Sequence, residues 1–272
     1  MKLHVASAWS AAQLAGSALL GLFLLFPLLG LFVTLSWDDF LGGLRNPLLG
    51  PALRLSLLTT ATSLVFVVVL GSLFAWRVAR NPGRLSRALE TIAQLPAVIP
   101  PAVAGVGLLL AFGRRGLLGA WLDRHGIALA FTTPAVVMAE AFVSAPFFVQ
   151  SAIAAFRRVD ENLLVVARTL GASPFRTFLR VGLPLAAPGL VAGAAMSWAR
   201  AVGEFGATLL FAGNLTGRTQ TMPLAVYTAM ESDLRAAQAL SLILVTIAFA
   251  LLFVLRRMAP GAPLPGTELR GG

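Results

Sequence analysis

Cysteine is absent from the 272-residue chain, which excludes a disulfide framework and any thiolate metal site. Histidine occurs twice, at His4 and His125. They stand far apart, and each reads as a surface or interfacial side chain rather than a metal ligand, so no metal site is expected. The single lysine is Lys2. A phosphate-cradling G-x-x-x-x-G-K-[ST] loop needs its lysine beside a glycine-rich turn, and no such loop exists here. The chain is therefore expected to bind no nucleotide or other cofactor, and ATP-driven work would need ATP and magnesium held by another chain. Charge is scarce as well: 12% of residues, with 58% hydrophobic, where a soluble domain carries about a quarter charged. That composition belongs to the membrane class. The net charge of +10 raises nucleic acid as a partner. The arginines are dispersed between apolar runs, however, so a role in setting membrane topology is the simpler reading and no nucleic-acid partner is expected.

What is present is a series of long apolar runs. A spanning helix needs about 20 apolar residues, because the hydrocarbon layer is about 30 Å thick. Six candidates meet that length: 11–36, 55–76, 91–112, 131–156, 183–212 and 236–255. All six should be helices, since lipid offers no partner for an unpaired backbone group. The first is too long for the apolar core of a signal peptide. With the N-terminus inside, 13 of the 21 Lys and Arg residues fall on the inner side and 8 on the outer, which favours both termini in the cytoplasm. Residues 1–258 then form one transmembrane domain with no soluble domain, and the Pro/Gly-rich tail 259–272 is expected to be disordered.

Between the fourth and fifth runs lies a polar hairpin, about 158–180, with Arg157, Arg158, Asp160, Glu161, Arg168, Arg176 and Arg180 in and beside it. Val159, Leu163, Val166 and Leu170 fall on one helical stripe. Asp160 and Glu161 suit the positive end of that helix and Arg168 the negative end. Gly171 stands where a left-handed cap ends a helix. Ser173-Pro174 then reads as an N-cap followed by a first-turn proline, with Phe175, Phe178 and Leu179 as a second short apolar face. Two amphipathic helices joined at a glycine are expected, either resting on lipid headgroups or docked to a partner. "ARTLGASPFRTFLRVGLPL" resembles the cytoplasmic loop of the permease subunits of ABC importers. The matching positions are Ala167, Gly171, Val181, Leu183 and Pro184, while Val165 stands where that pattern has a glutamate and Val166 replaces its first alanine. The resemblance implies an all-α membrane protein of the type I ABC importer permease fold. Its coupling helices would fit a cleft on an ATPase subunit through Ala167, Leu170, Gly171, Ala172, Ser173, Pro174 and Phe175.

The second informative stretch is 197–231. Arg200 and Glu204 are four apart and share a helix face. They read either as a structural ion pair or as the border of a water-filled path, and Gly203 and Gly206 beside them permit close backbone approach. "ARAVGEFGATLLFAGN" followed by "GRTQTMPLAVYTAM" is similar to the matching region of molybdate/tungstate permeases, as is "LPAVIPPAVAGVGLLLAFGRRGLLGAWL". Sulfate/thiosulfate permeases share the Gly-Glu-Phe-Gly core but diverge after it. The resemblance covers roughly 50–256. It implies a path or gate including Arg200, Gly203, Glu204, Phe205, Gly206, Thr208, Asn214, Thr219, Gln220 and Thr221. Hydroxyls and amides of this kind, with Thr216, can hold a small doubly charged oxyanion without a fixed counter-charge. Arg114 and Arg115 either attract anions or are solvated loop arginines. Glu140 departs from the small apolar residue usual in that family. Asn214-Leu215-Thr216 matches a glycosylation acceptor and is set aside.

The resemblance thus implies a non-enzymatic permease subunit of an ATP-driven importer in the bacterial inner membrane. Its expected partners are a second copy of itself, ABC ATPase subunits, a periplasmic or extracellular oxyanion-binding protein and the lipid bilayer. The alternatives are a sulfate/thiosulfate permease, a secondary transporter with a central ionisable residue and broken helices, or a membrane scaffold.

Overall fold

The computed structural model describes residues 2–257, with side chains left aside at 2–8, 10, 11 and 255–257. The expected tail, 259–272, and Arg270 within it lie outside the described residues. Among the described residues every regular element is helical. In chain order they are α1 (Lys2–Val33), α2 (Trp37–Leu44), α3 (Leu49–Arg80), α4 (Arg84–Val98), α5 (Pro101–Phe112), α6 (Gly119–Arg124), α7 (Thr133–Arg158), α8 (Glu161–Thr169), α9 (Pro174–Thr177), a π segment (Phe178–Gly182), α10 (Leu183–Val202), α11 (Gly206–Ala212), α12 (Met222–Ser232) and α13 (Leu234–Arg257).

Five stretches are long and apolar enough to cross a membrane: Ala12–Val33, Leu49–Arg80, Thr133–Arg158, Pro174–Val202 and Leu234–Val254. The bent pair α4–α5 would make a sixth. The expected run 91–112 is therefore not one straight helix: its halves meet at 114°. The cause is local. Ile99 and Pro100 each precede a proline, whose ring disfavours helical backbone in the residue before it. Both are extended, with ψ of 129° and 136°. The expected run 183–212 is likewise broken, because α10 stops at Val202 and α11 restarts at Gly206. The first run ends at Val33 rather than 36, since Ser36 caps α2 by accepting from Asp39 N–H at 3.2 Å.

The centre of the bundle is α7, packed between α3 and α10. One apolar core joins these three through Val67, Phe148, Ile153, Phe156 and Leu190. A second packs α5 and α11 on α7 through Leu108, Val136 and Phe211. A third gathers the start of α3 with α12 and α13 around Met222 and Leu240. Small residues make the approaches close, as expected where lipid removes the usual hydrophobic drive. None of the span Ala12–Val33 is buried. α1 touches α13, where Gln238 Nε2 donates to Leu31 O at 3.3 Å and Thr34 Oγ1 at 2.5 Å. Beyond the spans, Asp39 receives Arg235 Nη1 at 2.6 Å. The Ser36 hydroxyl, and then Arg235, hold its carboxyl below the ordinary value of 3.8.

Candidate functional site

Two regions at opposite ends of the bundle carry the residues singled out from the sequence. At one end, the chain turns from α7 into α8 and back into the long helix. Asp160 N-caps α8, accepting from Asn162 N–H at 2.9 Å. The helix ends in a Schellman motif: Ala172 N–H reaches Ala167 O and Gly171 N–H reaches Arg168 O, both at 3.0 Å. Gly171 has φ of +85°, the left-handed backbone this closure needs and that side chains resist. Ser173 Oγ then accepts from Arg176 N–H at 3.3 Å, with Pro174 in the first turn. Ala167, Gly171, Ala172, Ser173 and Pro174 thus build the turn itself.

The second arm of the hairpin is not a separate helix, as the sequence pattern led us to expect. Pro174–Val202 is continuous, and the π segment sits within it. Pro184 has no N–H and crowds the carbonyl four residues back. One extra residue is absorbed there, and Leu183 N–H bonds Phe178 O instead. The predicted stripe also faces differently. Leu164, not Leu163, is buried against the bundle, whereas Leu163, Val166, Leu170 and Phe175 are exposed, Leu170 by 83%. The hairpin therefore presents an apolar face outward. Its root is rigid: Trp76 meets Phe156 and Phe178 edge-on, each at 5.3 Å. Arg80 lies 5.2 Å from the Trp76 ring and donates to Phe156 O at 2.5 Å and Val159 O at 2.9 Å.

Toward the other end, α3, α7, α10 and the α10–α11 break bring polar side chains together in the apolar bundle. Arg200 Nη2 pairs with Glu204 Oε2 at 2.7 Å. Glu204, 2% exposed, also accepts Ala207 N–H at 2.8 Å through Oε1. It thereby covers an otherwise unpaired donor at the start of α11. Gly206 lies against Pro101 and Ala102, where an added Cβ would approach to 3.1–3.2 Å. Gly203 has open space around it and permits no special approach. Phe205 packs on Tyr227 at 5.4 Å.

Glu140, also 2% exposed, accepts from Thr59 Oγ1 at 2.8 Å, so it ties α7 to α3. Ser197 Oγ donates to Ser144 O at 3.1 Å, and Met222 N–H donates to Ser56 Oγ at 2.7 Å. Glu140 is singled out by the sequence, whereas Ser56, Thr59, Ser144 and Ser197 are not. The signal was available in part: Ser56, Thr59, Thr60 and Ser63 follow a helical stripe within an apolar run, and all four are buried. The loop residues divide. Thr219 Oγ1 donates to Gly213 O and accepts Leu215 N–H, and Asn214 and Gln220 both donate to Thr228 Oγ1. These three brace the loop, and Thr216 is exposed outside it. By contrast, Ser144 Oγ, Thr208 Oγ1 and Thr221 Oγ1 are buried and find no hydrogen-bond partner among the described residues. Arg114 pairs loosely with Asp123 at 3.6 Å on the surface, and Arg115 is exposed.

Comparison with known proteins gives a consistent pattern. A family model described as "binding-protein-dependent transport system inner membrane component" matches residues 67–260. The chain is 44% identical over 249 residues to the molybdenum transport system permease protein ModB of Mycobacterium tuberculosis, covering 91% of this chain and 92% of that one. It is 34% identical over 238 residues to the sulfate transport system permease protein CysT of Escherichia coli, covering 85% of each. Among solved structures, a chain of a bacterial alginate ABC transporter in complex with an alginate-bound periplasmic protein superposes with a TM-score of 0.73 at 18% identity. That match covers 93% of this chain and 96% of the other, and at this identity the likeness speaks for the fold.

Proposed function

The chain belongs to the family of binding-protein-dependent transport system inner membrane components, and from that premise we propose that it is the permease subunit of an ATP-driven importer of molybdate or tungstate. Two copies form the path at their interface. ATPase subunits dock from the cytoplasm on the hairpin, and a soluble binding protein delivers the oxyanion from outside. The permease itself performs no chemistry. In this reading the chain crosses six times, counting α4–α5 as one, and the inward excess of Lys and Arg orients the hairpin and both termini toward the cytoplasm.

The observation that carries the reading is the hairpin. Leu163, Val166, Leu170 and Phe175 form an outward apolar face on a loop held by two side-chain caps and a Schellman turn. Exposed apolar surface on a well-fixed frame is what a protein partner buries. Force applied there reaches α3 and α7 through the Trp76–Phe156–Phe178 contacts and reaches α10 directly along one helix. Closure of the motor would draw the hairpins of two copies together and tilt the bundle between inward- and outward-facing forms. At the other end, the hydroxyls of Ser144, Thr208 and Thr221 are buried inside one copy, so they would reach an interface path only after the bundle tilts.

The test is uptake of labelled molybdate into vesicles holding the permease, its ATPase and its binding protein. Uptake should require ATP, fall with competing tungstate, and fail for Leu170→Asp, which should also stop the ATPase from co-purifying. Competition by sulfate and none by tungstate would shift the assignment to sulfate import, the activity named for the CysT relative. ATP-independent uptake driven by an ion gradient would replace the whole scheme with a secondary transporter.

A further inference from the structure

The face formed by α3, α4 and α7 carries two cavities, one above the other. The first, about 500 Å³, is walled by apolar side chains that include Phe66, Leu70, Phe74, Pro96, Ala145 and Val149. The second, about 400 Å³, lies at the hairpin end and is lined by Pro82, Gly83, Ser86, Arg87 and Arg157 among others. Both are built on the same helical stripes. On α3 the lining runs Val67, Gly71, Phe74 and on to Val78. On α4 it runs Pro96, Ala93 and then Ser86. On α7 it runs Phe142, Ala145, Val149 and, two turns further, Arg157. At 1.5 Å per residue the polar pocket begins about 6–12 Å from the end of the apolar groove.

The charges of the smaller pocket decide its partner. Arg157 is held in a two-pronged contact with Glu90, at 2.7 and 3.1 Å. Arg87 is exposed and makes no ion pair among the described residues. Two guanidiniums against one carboxylate leave one unit of positive charge. A phosphodiester carries one negative charge and accepts hydrogen bonds from guanidinium groups. An apolar groove that opens, one or two turns on, into a singly positive pocket has the polarity of one lipid molecule.

We propose that this face is a binding site for an anionic glycerophospholipid, with an acyl chain along the groove and the phosphodiester at Arg87 and Arg157. In the proposed topology the lipid belongs to the cytoplasmic leaflet. The site stands apart from the transport reading, since lipid binding is measured without ATPase, binding protein or oxyanion.

The experiment uses the full-length chain in detergent, exposed to phosphatidylglycerol or phosphatidylcholine of the same acyl composition, with retained lipid counted by native mass spectrometry. Phosphatidylglycerol should be retained in preference. Arg87→Gln should lower its retention about fivefold, the weight of one cation at a lipid surface, and lower that of phosphatidylcholine, whose choline cation offsets the phosphodiester charge, by less. Ala145→Phe, which places a ring in the groove, should lower retention of both, whereas Arg115→Gln at the far end should change neither. Arg87 is exposed and makes no ion pair among the described residues, so its variant keeps the test readable if Ala145→Phe unfolds. Retention that ignores the headgroup or the Arg87 substitution overturns the site. So does a folded Ala145→Phe protein that binds phosphatidylglycerol as before, or a groove that cross-links to a second copy and excludes lipid.

Discussion

Arg200 and Glu204 illustrate how much depends on single side chains in this bundle. The Glu204 side chain is 1% exposed and its Arg200 partner 25%. Removing one member of a buried pair leaves the other charge uncompensated, at a cost of about 3 kcal/mol. Arg200→Ala should therefore lower the thermal midpoint of the detergent-purified chain by about 6 °C or more. Glu204→Gln, which keeps an acceptor for Ala207 N–H, should lower it less. Equal midpoints for native chain and Arg200→Ala would show that the pair contributes nothing. The pairing was legible in the sequence because four residues on a helix share a face. The Thr59–Glu140 bond was not, because its partners are 81 residues apart and nothing local joins them.

At the scale of elements, helix ends and breaks have identifiable causes. Gly171 and Ser173-Pro174 announce the hairpin turn, whereas Pro100-Pro101, read only as part of one run, causes the bend between α4 and α5. The π segment is less apparent. It arises from Pro184, but it also brings Gly182 against Trp76, where an added Cβ would come within 2.5 Å of the indole ring. Gly182→Val should consequently destabilise the chain by about 1–3 kcal/mol through overpacking, read as a loss of thermal midpoint. Relief by a second substitution, Trp76→Leu, would locate the cause in that contact. A Gly182→Val protein as stable as the native chain would show that the π segment yields freely. The burial of Leu164 in place of Leu163 belongs to the same scale. A helical stripe gives a period, and the docking geometry selects which side of it faces the bundle.

Across the whole molecule, α1 is the exception: long, apolar and unburied along its span, with a hydrogen bond from Gln238 to Leu31 O joining it to α13. Such a bond contributes about 1 kcal/mol. Removal of residues 1–33 should leave the remaining bundle folded, with a thermal midpoint within about 4 °C of the native chain. Loss of folding would mean that α1 braces the core. The three apolar clusters, by contrast, draw on helices from α2 to α13, so truncation from the other end has no such tolerance. The hairpin and the Arg200–Glu204 pair, on which the proposed function draws, lie at opposite ends of the continuous helix Pro174–Val202 and its α11 continuation.

By itself the sequence determined the membrane class, the approximate runs, the hairpin turn and the Arg200–Glu204 pair. Each follows from composition or from neighbours within one helical turn or cap, where covalent spacing alone sets geometry. Only the tertiary structure decided which face of α8 is anchored and where α10 breaks. It alone joined Thr59 to Glu140 and Ser197 to Ser144, and aligned an apolar groove with an arginine pocket. Those features depend on the relative rotation and depth of helices far apart in the chain, which is set by packing of small residues and by buried polar contacts rather than by any local pattern.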